Sequence, residues 1–103
     1  RLVDILALDE TRFSQRYYKS PIARIRRERL IRNACIAAGN WRDEAAAPLL
    51  GRLLEDPSPL VRGHAGWALA QVLGPRARPI IEAAYRRETD AEAAGEWRAL
   101  LDA

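Results

Sequence analysis

The sequence predicts an all-α protein, a short solenoid of about three helix pairs, and three observations carry that prediction. Apolar residues fill 49% of the 103 positions. Many of them are alanines, which suits closely packed helices, while β-branched and aromatic residues are too sparse for a sheet protein of this length. Helix-starting and helix-ending residues punctuate the chain at regular distances. The pattern also repeats: PLLGRLLEDPSPLVRGHAGWALA, moved by 31 residues, overlies PIIEAAYRRETDAEAAGEWRALL.

The elements follow in order. Asp9 is placed to cap a short helix with Phe13 and Tyr17 on one side. Ser20-Pro21 is an N-cap followed by proline at the first helical position. The helix it starts runs to about Ala38 and stops at Gly39-Asn40. Asp43 opens the next one, with Ala47, Leu50, Leu53 and Leu54 at helical spacing. Ser58 and Pro59 start a fourth stretch that Gly74-Pro75 ends, and a fifth covers roughly Arg76 to Arg87. Thr89 and Glu92 have capping-box spacing for a last helix ending near Asp102.

In the 31-residue alignment Pro48 meets Pro79, Leu49 and Leu50 meet Ile80 and Ile81, and Ala68-Leu69 meet Ala99-Leu100. A shift of 30 the other way lays Val61-Arg62 on Ile31-Arg32 and Ala68 on Ala38. A period near 30 with two helices per unit is the pattern of a HEAT-like α-solenoid, in which each pair buries its face against the next. The expected organisation is one helical-repeat domain over 1–103. Residues 1–42 form a basic, irregular first unit, 43–74 a HEAT-like repeat and 75–103 a terminal capping repeat. The chain lacks methionine and begins at Arg1, so it reads as a piece of a longer protein.

Charge separates the two ends. Residues 1–42 hold ten cations against four carboxylates, a net of +6, and residues 43–103 seven against ten, a net of −3. Nine of the ten N-terminal cations are arginine, whose planar fork suits bidentate contact with phosphate or carboxylate. No run of 18 apolar residues could span a membrane, and no signal-peptide pattern is present. The single Cys35 excludes an internal disulfide or a cysteine-clustered metal site and fits a cytoplasmic setting. One histidine, no P-loop, no GxGxxG and no carboxylate cluster at ligand spacing leave no catalytic, cofactor-binding or metal residue to nominate. Cys35 lies on a small-residue stripe and reads as a buried structural thiol.

In SPIARIRRERLIRNACIAAGN, the residues Leu30, Ile31, Ala34, Ala37 and Ala38 define a buried side at ~100° per residue. Arg29 and Arg32 point away from it, and Arg26 shares an outer flank with Asn33. Arg24 and Arg27 continue the Ile31–Ala34–Ala38 stripe, so either the helix overshoots the core or the chain bends at Ile25. Lys19, Arg24, Arg26 and Arg27 therefore form a candidate phosphate-contacting patch, with Tyr17 and Tyr18 beside it for stacking or bracing. Surface ion pairing with Glu28, Asp9 and Glu10 is the competing account. Further on, Arg62 and His64 would extend the track. Equally, Arg62 would pair with Asp56 in the inter-helix turn, and His64 would be a packing residue.

The blocks FSQRYYKSPIARIRRERLIRNACIAAGN and LEDPSPLVRGHAGWALA resemble the C-terminal region of epoxyqueuosine reductases. There a phenylalanine-led helix, a Ser-Pro/Ala-Ile turn, an LLRNxxIAxGN helix and a DPxPLVRxHAAWALG repeat follow one another. The likeness is strongest from Phe13 to Ala70, and its first block lies outside the general repeat consensus. Departures are Gly66 where alanine is usual, Ala70-Gln71 in place of Gly-Arg, and YYK before Ser20. The resemblance implies a parent oxidoreductase that completes queuosine at the tRNA wobble position with a cobalamin and two four-iron four-sulfur clusters. The domains holding those groups have no counterpart in these residues. The part present would be a non-catalytic domain that holds tRNA beside the catalytic domains of the parent. A HEAT-like protein-interaction scaffold and a DNA-binding repeat like that of HEAT-like alkylpurine glycosylases are the alternatives.

Overall fold

The computed structural model describes residues 21–103. Among the described residues five helices run in order: α1 (Pro21–Trp41), α2 (Ala47–Leu53), α3 (Pro59–Leu73), α4 (Arg78–Arg87) and α5 (Ala91–Asp102). Short 3₁₀ turns precede α2 (Glu44–Ala46) and α4 (Gly74–Ala77). No strand occurs among the described residues. The fold is the expected all-α stack of HEAT-like helix pairs. α3 is its central member, flanked by α1 on one side and α5 on the other, while α2 packs across α3 and α4 across α5. The short helix expected around Asp9, Phe13 and Tyr17 lies outside the described residues.

The core is one cluster drawn from every element: Ile31, Cys35 and Ala38 of α1, Leu50 of α2, Val61, Ala65 and Leu69 of α3, Ile81 of α4 and Trp97 of α5. Small residues let α1, α3 and α5 approach closely. Gly39 makes this plain, because a Cβ there would lie 2.5 Å from the Trp67 ring. This corrects the expectation that Gly39-Asn40 ends the helix. Gly39 is a packing contact, α1 runs on to Trp41, and the chain reverses at Arg42, whose φ is +52°. Leu30, expected on the buried side, is 39% exposed, and its place in the core is taken by Arg27.

Caps explain the other boundaries. The Ser58 hydroxyl accepts from Val61 N at 3.3 Å with Pro59 next, and Gly74 (φ +60°) ends α3, both as expected. Asp43 caps the 3₁₀ turn rather than α2 itself, through Ala45 N at 3.1 Å. The stretch expected as one helix from Arg76 divides into the 3₁₀ turn and α4. The Thr89/Glu92 box does not form; Asp90 caps α5 instead, accepting from Ala93 N at 3.0 Å.

Candidate nucleic-acid interface

α1 is continuous through Ile25, so the chain does not bend there; of the two arginines on the stripe, Arg24 lies exposed past the packed part, whereas Arg27 lies within it. Arg24, Arg26 and Arg29 are exposed, and among the described residues none has a carboxylate within salt-bridge range. Arg32 is half-buried and donates to the Asn33 side-chain oxygen at 3.1 and 3.2 Å. On a helix turning ~100° per residue, Arg26 and Arg29 sit ~60° apart on the outward side with Asn33 between them. Arg24 lies ~160° from Arg26 around the same axis, beyond the packed stripe. The patch is thus a two-arginine outward strip with a third arginine at the end of the helix. Arg29, absent from the sequence-derived set, belongs to it, and its i+3 spacing from Arg26 was the available signal. Lys19, with Arg16, Tyr17 and Tyr18, lies outside the described residues.

Two arginines proposed as phosphate contacts are turned inward. Arg27 is 1% exposed and donates through both terminal nitrogens to Asp56, at 3.0 Å to Oδ2 and 2.5 Å to Oδ1. Its position four residues before Ile31 puts it on the buried stripe, and the carboxylate makes a charge tolerable there. Asp56 also accepts from Ser58 N at 2.9 Å, so the pair ties α1 to the turn before α3.

Arg62 points to the next turn. Its Nε and Nη2 donate to the two Glu88 oxygens, each at 2.8 Å, and its Nη1 to the carbonyls of Asp56 (2.8 Å) and Pro57 (3.2 Å). The expected pairing of Arg62 with the Asp56 carboxylate is therefore displaced by one unit. In each case a helix arginine reaches the acid of the following turn: Arg27 to Asp56, Arg62 to Glu88. Glu88 also accepts from the backbone of Thr89 (3.0 Å) and Asp90 (2.9 Å). The Arg62 hydrogen bonds chiefly, aided by these amides, hold the Glu88 carboxyl below its ordinary value against the opposing effect of burial. The same bonds raise the Arg62 guanidinium. With its donors occupied, Arg62 braces the α4–α5 turn instead of facing a phosphate.

His64 is half-buried, with Nδ1 donating to the Leu60 carbonyl at 2.9 Å. It faces a groove between α1 and α5 whose walls carry Glu28, Asp90, Glu92 and Glu96, a setting that repels phosphate. His64 does not extend a basic track.

Cys35 is fully buried, and desolvation, with the Asp56 charge second, pushes its thiol up to about 12. A thiol so protonated is a poor iron or cobalt ligand. Among the described residues no group of three His, Cys, Asp or Glu side chains could hold a metal ion. No helix among them is long and apolar enough to cross a membrane.

A family model described as HEAT repeats matches residues 22–100. Among curated proteins, the chain is 36% identical to an epoxyqueuosine reductase of Staphylococcus aureus over 99% of its own length and 27% of the relative's. It is 32% identical to one of Bacillus anthracis over 98% and 27%. Two solved structures align. One is an epoxyqueuosine reductase with a tRNA-Tyr epoxyqueuosine-modified stem loop (TM-score 0.74, 28% identity, 99% of this chain and 28% of that one). The other is a selenomethionine-labelled epoxyqueuosine reductase (TM-score 0.77, 28% identity, 98% and 27%). The chain thus spans little more than a quarter of the length of the relatives it matches.

Proposed function

The chain belongs to the HEAT-repeat family, and from that premise we propose that it is the non-catalytic, tRNA-binding domain of an epoxyqueuosine reductase. The observation that carries this reading is the exposed set on α1, with Arg26 and Arg29 on its outward side and Arg24 at its N-terminal end. Most other arginines of the described residues are neutralised by a carboxylate: Arg27, Arg62, Arg76, Arg78, Arg87 and Arg98 each have one. A cation left unpaired beside others experiences repulsion that a phosphate backbone relieves, with release of the counterions condensed on the RNA. A relative of the same fold is solved with a tRNA stem loop, which supports the same partner here.

Binding of this kind is backbone contact, which positions the RNA without reading its sequence. The chemistry of queuosine formation, with cobalamin and two four-iron four-sulfur clusters, would belong to catalytic domains of the parent, and a cytoplasmic location goes with that role. The test is a salt titration of binding to a tRNA anticodon stem loop by the chain and by an Arg26→Ala/Arg29→Ala variant. Loss of affinity is expected, together with a log–log salt slope shallower by about one counterion per arginine removed. Equal affinity and slope would return the set to ordinary solvated surface.

A further inference from the structure

Eleven carboxylates lie among the described residues. Eight have a partner: Glu44, Glu55, Asp56, Glu82, Glu88 and Asp102 pair with arginines, and Asp43 and Asp90 cap helices. The three that form neither an ion pair nor a cap are Glu28, Glu92 and Glu96, and all three line one groove. They come from opposite sides of it, Glu28 from α1 and the other two from α5. Unpaired acids spread over a surface would be ordinary; their convergence across a cleft is what needs an occupant.

The groove follows α3 between α1 and α5. One compartment, of about 340 Å³, is floored by Leu60 and Gly63 and rimmed by the acids. A second, of about 310 Å³, shares Gly63, His64 and Glu96 with it and continues to Ile36, Asn40 and Trp67. Among the described residues no lysine or arginine lines either. Leu60 is 37% exposed and Trp67 half-buried, so the floor is apolar and wet. From Pro59 to Trp67 α3 rises about 12 Å. That accommodates about three or four residues of extended chain.

We propose that this groove is a docking site for a basic polypeptide segment from outside these 103 residues, in extended form. Its lysine or arginine would lie between Glu28 and Glu96, and a neighbouring aliphatic side chain would rest on Ile36 and Trp67. Charge complementarity selects this occupant. A phosphate backbone would meet three uncompensated carboxylates, and an apolar helix would bury them at a cost of several kcal/mol. A cationic stem covers apolar surface with its methylenes while its head meets the acids. Among the described residues no α1 arginine lines the groove, and Arg26 and Arg29 lie on the outward side of the same helix.

The test uses a fluorescein-labelled hexapeptide of alternating lysine and leucine, followed by anisotropy with the 103-residue chain. Saturable binding is expected, and a glutamate–leucine peptide should not bind. A Glu28→Gln/Glu96→Gln variant should lose about tenfold in affinity, equivalent to two partly exposed ion pairs, while its unfolding midpoint and its stem-loop binding stay unchanged. Two results would each overturn the proposal: absence of saturable binding, or binding insensitive to E28Q/E96Q. A dimer in sedimentation that E28Q/E96Q dissolves would give the groove to a second copy and overturn it as well. Stem-loop affinity is read separately, so the groove and the tRNA reading can fail independently.

Discussion

Arg27 and Asp56 stand 29 positions apart in the chain and meet inside the core, guanidinium against carboxylate, each side chain 1% exposed. The pair neutralises an arginine that the helix period places on the buried stripe, and it fixes α1 against the turn that starts α3. Breaking it leaves an uncompensated buried charge. Arg27→Met should therefore lower the unfolding free energy by about 3–5 kcal/mol, read from urea denaturation. Arg26→Ala, on the exposed side, should change it by less than about 0.5 kcal/mol.

Glu88 supplies a pH test. Its carboxyl is held below the ordinary 4.5, so its contribution is fully present above that value and is lost as pH falls through the depressed one. Glu88→Gln should cost about 1–3 kcal/mol at pH 7, where a charged hydrogen-bond acceptor is lost. The gap to the unmodified chain should close on acidification, as its own Glu88 is protonated. Urea midpoints measured from pH 7 down to pH 3 would show whether the two curves converge.

Gly66 and Gly63 lie one turn apart on α3 and should respond oppositely to alanine. A Cβ at Gly66 would overlap the indole Nε1 and Cδ1 of Trp97, whose Nε1 donates to the Arg62 carbonyl at 3.2 Å. Gly66→Ala should destabilise by about 1–3 kcal/mol through overpacking. At Gly63 a Cβ would find only ordinary contacts of 3.7–4.0 Å with Glu96 and Ala93, so Gly63→Ala should stabilise by about 0.5–1 kcal/mol. Thermal melts of the two variants should move in opposite directions.

Cys35 should be silent in the native protein. With its thiol buried and pushed up to about 12, it should not react with a disulfide reagent at pH 8 on the timescale of an exposed thiol. In denaturant it should react at once. Rapid native labelling would show that α1 opens away from α3.

Several elements were legible before any coordinates because the forces that make them are local. Ser58-Pro59 and Gly74 bound α3 through a side-chain cap, a fixed φ and a left-handed backbone, all properties of one or two residues. The small-residue stripe of α1 and the repeat near 30 positions likewise pointed to stacked helix pairs. The caps that failed were close in sequence to those that formed. Thr89 lost its role to Asp90 because Glu88, anchored by Arg62, accepts from the amides of both Thr89 and Asp90 and so sets the turn one residue later.

The amino-acid sequence alone determined that this chain is a HEAT-like stack with its cations gathered toward one end, since periodicity and composition need no knowledge of what lies opposite. Which arginines remain available to a phosphate was decided by the tertiary structure. Arg26 and Arg27 are neighbours in the chain, yet one faces solvent and the other is sealed against Asp56. A ~100° turn of the helix separates them, but only the packing of a turn 29 residues away supplies the carboxylate that makes burial possible. The acidic groove has the same origin: Glu28 and Glu96 line one cleft only because α1 and α5 both pack against α3.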